Sequence, residues 1–131
     1  MSSMSRMMSI GEQDREWAEK ALSNFPGTTS YGLGLPDYFE DGWKNGLSDE
    51  DVTQIILARD FLSGFPYNWS TSKSSPTSTF LKNFIGRRQG VFVYEGAVVL
   101  AALALGIPVK NYGNHHARIG IDKRSLRSMQ R

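Results

Sequence analysis

Apolar residues along this chain recur mostly at the three- and four-residue spacing of an α-helix. Ser9, Ser48 and Ser75 each precede such a stretch and are predicted to cap a helix at its N-terminus. A glycine or proline near the end of each stretch predicts where the helix stops. The helices predicted in this way cover residues 10–24, 49–64, 76–86 and 96–105. A further short turn of helix is predicted after Pro36.

Near the C-terminus the pattern changes to that of strands. Residues 108–112 and 117–121 predict two short strands, and the turn at residues 113–116 joins them as a β-hairpin. Asp122 then predicts the cap of a last helical turn over residues 123–129. The expected fold is α+β: a mainly helical single domain with a small C-terminal β-hairpin. We expect residues 1–9 to be a flexible tail and residues 10–131 to be the globular domain.

The helix predicted over residues 96–105 carries no polar side chain on any face. The order helix, turn, helix and hairpin over residues 76–121 is compatible with a winged helix, in which this segment would read the major groove. A reading helix needs polar side chains, whereas a helix that is apolar all round is buried. We therefore expect it in the domain core or at a contact between two copies of the chain, which allows a homodimer.

The composition excludes several classes of site. The 131 residues include no cysteine, so disulfides, thiolate nucleophiles and Cys-ligated zinc are excluded. The longest apolar run, residues 97–107, is much shorter than the roughly 20 residues of a membrane-spanning helix, and the N-terminal residues do not resemble a secretory signal. We expect a soluble cytoplasmic protein without a membrane partner.

Charge is sorted along the chain. Residues 1–64 contain five Lys/Arg and eleven Asp/Glu, a net charge of −6, whereas residues 65–131 contain ten Lys/Arg and two Asp/Glu, a net charge of +8. The globular region thus divides into an acidic helical half, residues 10–64, and a basic half, residues 65–131. Such asymmetry indicates a polyanionic partner for one half, with nucleic acid first among the candidates.

The candidate phosphate-binding residues are the cations of the basic half: Lys82, Arg87, Arg88, Lys110, Arg118, Lys123, Arg124 and Arg127. If the hairpin folds back near Arg87 and Arg88, these cations form one surface for the phosphates of DNA or RNA. Two other interpretations stay open. The cations could complement helix dipoles and maintain solubility, or they could pair with the carboxylates of the acidic half.

Aromatic side chains offer an alternative partner, a host protein. Tyr38, Trp43, Tyr67 and Trp69 lie in Gly- and Pro-rich segments and could form an exposed anchor for it. A protein-binding inhibitor or adaptor is therefore the second hypothesis. The opposing expectation is that most aromatic residues of a small domain lie in its core.

No catalytic motif, cofactor motif or metal-ligand spacing is present, so we expect no enzyme, cofactor or metal. His115 and His116 are the only histidines, and they fall in the predicted hairpin turn. Asp122 could approach His116, and a His–Asp pair could act as an acid–base catalyst. A solvated turn is the simpler interpretation of the same residues.

One segment is similar to known sequences. Thr77-Ser-Thr-Phe-Leu-Lys82, Val93-Tyr-Glu-Gly96 and Ala101-Ala-Leu-Ala-Leu-Gly106 resemble small uncharacterised proteins of phages and other mobile elements. The resemblance covers residues 77–106 and implies no activity. It implies a role in host takeover or counter-defence, as an expectation.

Overall fold

The computed structural model describes residues 2–29, 32–33, 43, 46–67, 70–113 and 116–129. Its elements in chain order are helix α1 (Ser2–Asn24), strands β1 (Thr28–Thr29) and β2 (Gly32–Leu33), helices α2 (Asp49–Leu62), α3 (Ser78–Gln89) and α4 (Glu95–Leu105), strands β3 (Val109–Gly113) and β4 (His116–Ile119), and helix α5 (Lys123–Met129). The fold is α+β and mainly helical, with a small antiparallel hairpin near the C-terminus, as the sequence predicts. The helical turn expected after Pro36 lies outside the described residues.

Helix α2 begins where the sequence predicts. The Ser48 side chain accepts a hydrogen bond from the Asp51 amide, and the Asp51 carboxylate accepts one from the Ser48 amide, which together form a capping box. Helix α1 differs from the prediction, since it begins at Ser2, within the segment expected to be a tail. That segment contains neither proline nor glycine, and nothing in it forces a helix to start at Ser9.

Both ends of α3 differ from the prediction. Thr77 is the N-cap and accepts from the Phe80 amide, whereas the predicted cap, Ser75, accepts from the Ser72 amide in the preceding turn. Gly86 does not end the helix. The end is at Gly90, whose φ of 68° is the left-handed conformation that a C-terminal cap requires.

Helix α4 lies at the centre of the fold, as its apolar sequence predicts. Every residue from Glu95 to Ala102 is buried, and the helix packs on α1, α2, α3 and both hairpins. Leu62, Leu81, Ile85 and Ile119 are among the large side chains that complete the core. Burying such side chains contributes about 1.5–3 kcal/mol each, so the helix is the main organiser of the domain.

The C-terminal hairpin is attached to the helices by its backbone. Lys110 lies opposite Arg118 in the antiparallel register of β3 and β4, and Arg118 also forms an isolated bridge with Thr77 at the start of α3. The inward residues of β4, Ala117 and Ile119, are fully buried. The first hairpin, β1–β2, was not predicted, because each of its strands has only two residues.

Candidate functional site

The arginines of the acidic half pair with carboxylates of the same half. Arg15 contacts Glu19 and Asp49, and the hydrogen bonds that it donates to these two carboxylates raise the pKa of Arg15 above its ordinary value. Arg59 contacts Asp60 at 2.8 Å and Asp14 at 3.4 Å. Between described residues, no ion pair links the acidic half to the basic half.

The two carboxylates of the basic half are also used locally. Asp122 accepts from the Arg124 amide and the Ser125 hydroxyl, so it caps α5 as predicted. Glu95 is buried and contacts His116. Neither carboxylate therefore neutralises the exposed cations Lys110, Lys123 and Arg127, which supports a basic exterior for this half.

The predicted phosphate-binding residues lie on two sets of elements. Lys82, Arg87 and Arg88 lie on α3, and we call them the α3 cations. The hairpin–α5 cations are Lys110, Arg118, Lys123, Arg124 and Arg127. The hairpin meets α3 at Thr77, ten residues before Arg87, which is about 15 Å along a helix axis. The described contacts between the hairpin and α3 lie at Thr77, Ser78 and Thr79, in the first turn of the helix.

Two of the α3 cations, Lys82 and Arg87, line a groove of about 330 Å³. Its lining also includes Phe92, and the Phe92 side chain is 68% exposed. The Lys82 ammonium lies 5.6 Å from the centre of the Phe92 ring, which is cation–π distance. The sequence analysis did not select Phe92. The sequence does contain a signal for an exposed aromatic residue here. The apolar pair Val91-Phe92 directly follows a glycine-capped helix with basic residues in its last turn.

The wall of this groove is held firmly. The amides of Gly90 and Val91 both donate to the Gly86 carbonyl, which closes the end of α3. Two residues beyond Phe92, the Tyr94 amide donates to Gln54 Oε1 of α2 at 2.6 Å. Phe92 thus lies between Val91 and Tyr94, whose amides are both hydrogen-bonded, and these bonds hold the backbone on either side of the exposed ring.

The hairpin–α5 cations are less concentrated. One Arg118 nitrogen donates to the Ser75 carbonyl at 2.9 Å, so this side chain has a role within the fold. Lys123, Arg124 and Arg127 are exposed on α5. Tyr67, which is 58% exposed, pairs by its backbone with Ile121 just before α5.

The predicted aromatic anchor is only partly present. Trp43 has 3% of its surface exposed and belongs to the core, so it cannot contact a partner. Its apolar ring is better stabilised by burial than by exposure in a Gly-rich segment. Tyr67 is exposed, whereas Tyr38 and Trp69 lie outside the described residues.

A polar cluster that the sequence analysis missed lies where α3, α4 and β4 meet. Glu95, with 7% of its side chain exposed, accepts from Ser78 Oγ at 2.6 Å, from Thr79 Oγ1 at 2.9 Å and from His116 Nδ1 at 2.7 Å. Ser78 Oγ in turn accepts from the Ala117 amide. The buried carboxylate is therefore fully hydrogen-bonded, and the cluster fastens β4 to both helix N-termini.

The same cluster pairs a carboxylate with an imidazole. Because Nδ1 of His116 faces a carboxylate, it carries the proton, and Nε2 is the basic nitrogen of the neutral ring. The His116 side chain is 33% exposed. A carboxylate that orients a partly exposed imidazole is the arrangement of a general base. The carboxylate is Glu95 and not the predicted Asp122, which caps α5 instead.

Comparison with protein-family models, with curated proteins and with solved structures found no match. Within the described part of the chain, no group of three or more His, Asp or Glu residues could hold a metal ion. No helix of the described residues has the length and apolarity needed to cross a bilayer. Function must therefore be inferred from the groove, the cations and the polar cluster.

Proposed function

We propose that this protein is a non-enzymatic accessory protein that binds DNA or RNA through the phosphate backbone, using the α3 cations and the hairpin–α5 cations. The observation that carries this proposal is a set of exposed cations in the basic half, with no ion pair between the described residues of the two halves. Arg15 and Arg59 engage carboxylates of the acidic half. The basic half exposes Arg87, Lys110, Lys123, Arg124 and Arg127 on its surface. A surface with such an excess attracts a polyanion and releases its counterions.

Fluorescence anisotropy with a labelled oligonucleotide tests this proposal. Binding at low salt should weaken steeply as salt is added, because each neutralised phosphate releases a counterion. Arg87→Ala and Lys123→Ala should each lower the slope of log K against log salt by about 1. These two variants sample the two cation groups separately.

Lys20→Ala is the matched control, since Lys20 is an exposed lysine of α1 in the acidic half. It removes the same charge and should leave the salt slope unchanged. Absence of binding at low salt, or equal effects of all three variants, contradicts the proposal.

A pull-down after nuclease treatment tests the alternative hypothesis. If it retains a protein partner, the inhibitor or adaptor hypothesis takes the place of nucleic-acid binding, with the role in host takeover or counter-defence that the resemblance of residues 77–106 implies.

The polar cluster favours a second candidate function, acid–base catalysis by His116. Ser78 and Thr79 both donate to Glu95, so neither hydroxyl is activated by Nε2, and the nucleophile would come from the substrate. RNA supplies one in its 2′-hydroxyl: Nε2 takes the proton, the 2′-oxygen attacks phosphorus, the P–O5′ bond breaks, and the leaving oxygen takes a proton from solvent.

Incubation with RNA and with DNA of the same sequence distinguishes this candidate from binding alone. Cleavage of RNA only, yielding 2′,3′-cyclic phosphate ends and abolished by His116→Gln, supports it. Intact RNA after prolonged incubation with the wild-type protein rules it out and leaves the binding proposal in place.

A further inference from the structure

We propose that the groove beside α3 binds an unpaired base of single-stranded nucleic acid, with Phe92 stacking on the base and with Lys82 and Arg87 contacting the flanking phosphates. This inference rests on the proposed function and names its ligand class. It assigns a role to Phe92, the most exposed large apolar side chain among the described residues.

Exposure of Phe92 has an energetic cost that a ligand would remove. Burial stabilises a phenylalanine side chain relative to exposure, yet this ring is exposed while its neighbour Val93 is buried. Tyr94 supports the ring edge-on at 5.3 Å between centroids. The ring is therefore positioned by its surroundings and offers an aromatic surface to solvent.

The cations at the groove select a charged ligand. The Lys82 ammonium lies over the Phe92 ring, and Arg87 lines the same groove from the last turn of α3. An exposed aromatic ring with cations beside it is the arrangement with which proteins bind single strands, stacking the bases and neutralising the phosphates. An apolar peptide would gain nothing from the two cations.

The size of the groove fits an unpaired base and not a duplex. Its volume of about 330 Å³ is at the lower end of the range for pockets that take small ligands. A base in a duplex is already stacked on both faces and cannot reach a protein ring without being flipped out. We therefore expect a preference for single strands over duplexes of the same length.

The test uses the full chain and labelled single strands of about 12 nucleotides, near the site sizes of known single-strand binders. Phe92→Ala should weaken binding by about 5- to 100-fold, the loss expected for one stacked base. Phe92→Trp should retain the affinity, because it keeps an aromatic face. Phe92→Leu should lose it, because it keeps only the apolar volume.

An abasic strand of the same length is the sharpest control. It retains the phosphates and lacks the bases, so Phe92→Ala should not change its affinity, while Lys82→Ala should weaken it. Thermal unfolding of each variant confirms that the exposed substitution leaves the fold intact.

The outcomes separate this inference from the proposed function. If the single strand binds, responds to Arg87→Ala and Lys123→Ala, and ignores Phe92→Ala, the stacking role is overturned and phosphate binding survives. If no oligonucleotide binds at low salt, the proposed function fails as well. An acidic peptide that binds as tightly as the base-containing strand also overturns the stacking role.

Discussion

At the scale of single residues, Glu95 combines two properties that seldom occur together. It is the first residue of an otherwise apolar helix, and its carboxylate is buried. Removing a carboxylate from water is costly unless hydrogen bonds replace the lost solvent. Ser78 and Thr79 of α3 and His116 of β4 supply those bonds. Glu95 is therefore a junction between α4 and these two elements.

The role of this junction can be measured by replacing Glu95. Glu95→Ala leaves three donors without their acceptor and should lower the free energy of unfolding by about 2–4 kcal/mol, because buried polar groups then lack partners. Glu95→Gln keeps the shape and one acceptor oxygen and should cost about half as much. Urea denaturation followed by circular dichroism gives both values.

Glu50→Gln on α2 is the corresponding control, since Glu50 is exposed. It should change stability by less than about 0.5 kcal/mol. A Glu95→Ala protein as stable as this control would show that the cluster does not hold β4 against the helices.

Residue-level prediction from the sequence succeeded where partners are close in the chain and failed where they are far apart. Ser48 and Asp122 cap helices through atoms two or three residues away, so their roles are visible in the sequence itself. Glu95 lies 17 residues from Ser78 and 21 from His116. Only the packing of α3, α4 and β4 brings these side chains together, and no local pattern encodes it.

At the scale of elements, the passage from α3 to the residues that carry Phe92 depends on one close backbone approach. A Cβ atom on Gly86 would lie 2.7 Å from the Val91 carbonyl oxygen. The atoms that this Cβ would meet belong to the backbone of residues 91–93. Backbone atoms cannot move aside as the end of a flexible side chain can. Gly86 interrupts the helical pattern in the sequence, and the close approach of these two backbone segments explains it, not a helix end.

Gly86→Ala should therefore destabilise the protein by about 1–3 kcal/mol through overpacking, despite the better helix propensity of alanine. It should also weaken single-strand binding, because the Val91 segment would be displaced. Gly11→Ala on α1 is the matched substitution, since a Cβ there meets nothing within 4 Å. This change should stabilise the protein by up to about 1 kcal/mol. Equal thermal shifts in both variants would contradict the close approach.

At the scale of the whole molecule, the two charged halves share one core. Helix α4, which lies in the basic half of the sequence, packs against α1 and α2 of the acidic half. Its burial was predictable from its composition alone, because a helix without polar faces has no stable exposed position. The docking of the hairpin on the first turn of α3 was not predictable, because it depends on contacts between residues about 40 positions apart.

Arg15 and Arg59 form ion pairs with carboxylates of the acidic half itself, and this has a consequence for any assembly that the protein enters. If the basic half binds a nucleic acid, each bound copy also brings residues 1–64, with their net charge of −6, to the polymer. Bound copies would then repel one another and any second strand. The coated polymer should stay dispersed, without the bridging and condensation that uniformly basic proteins cause.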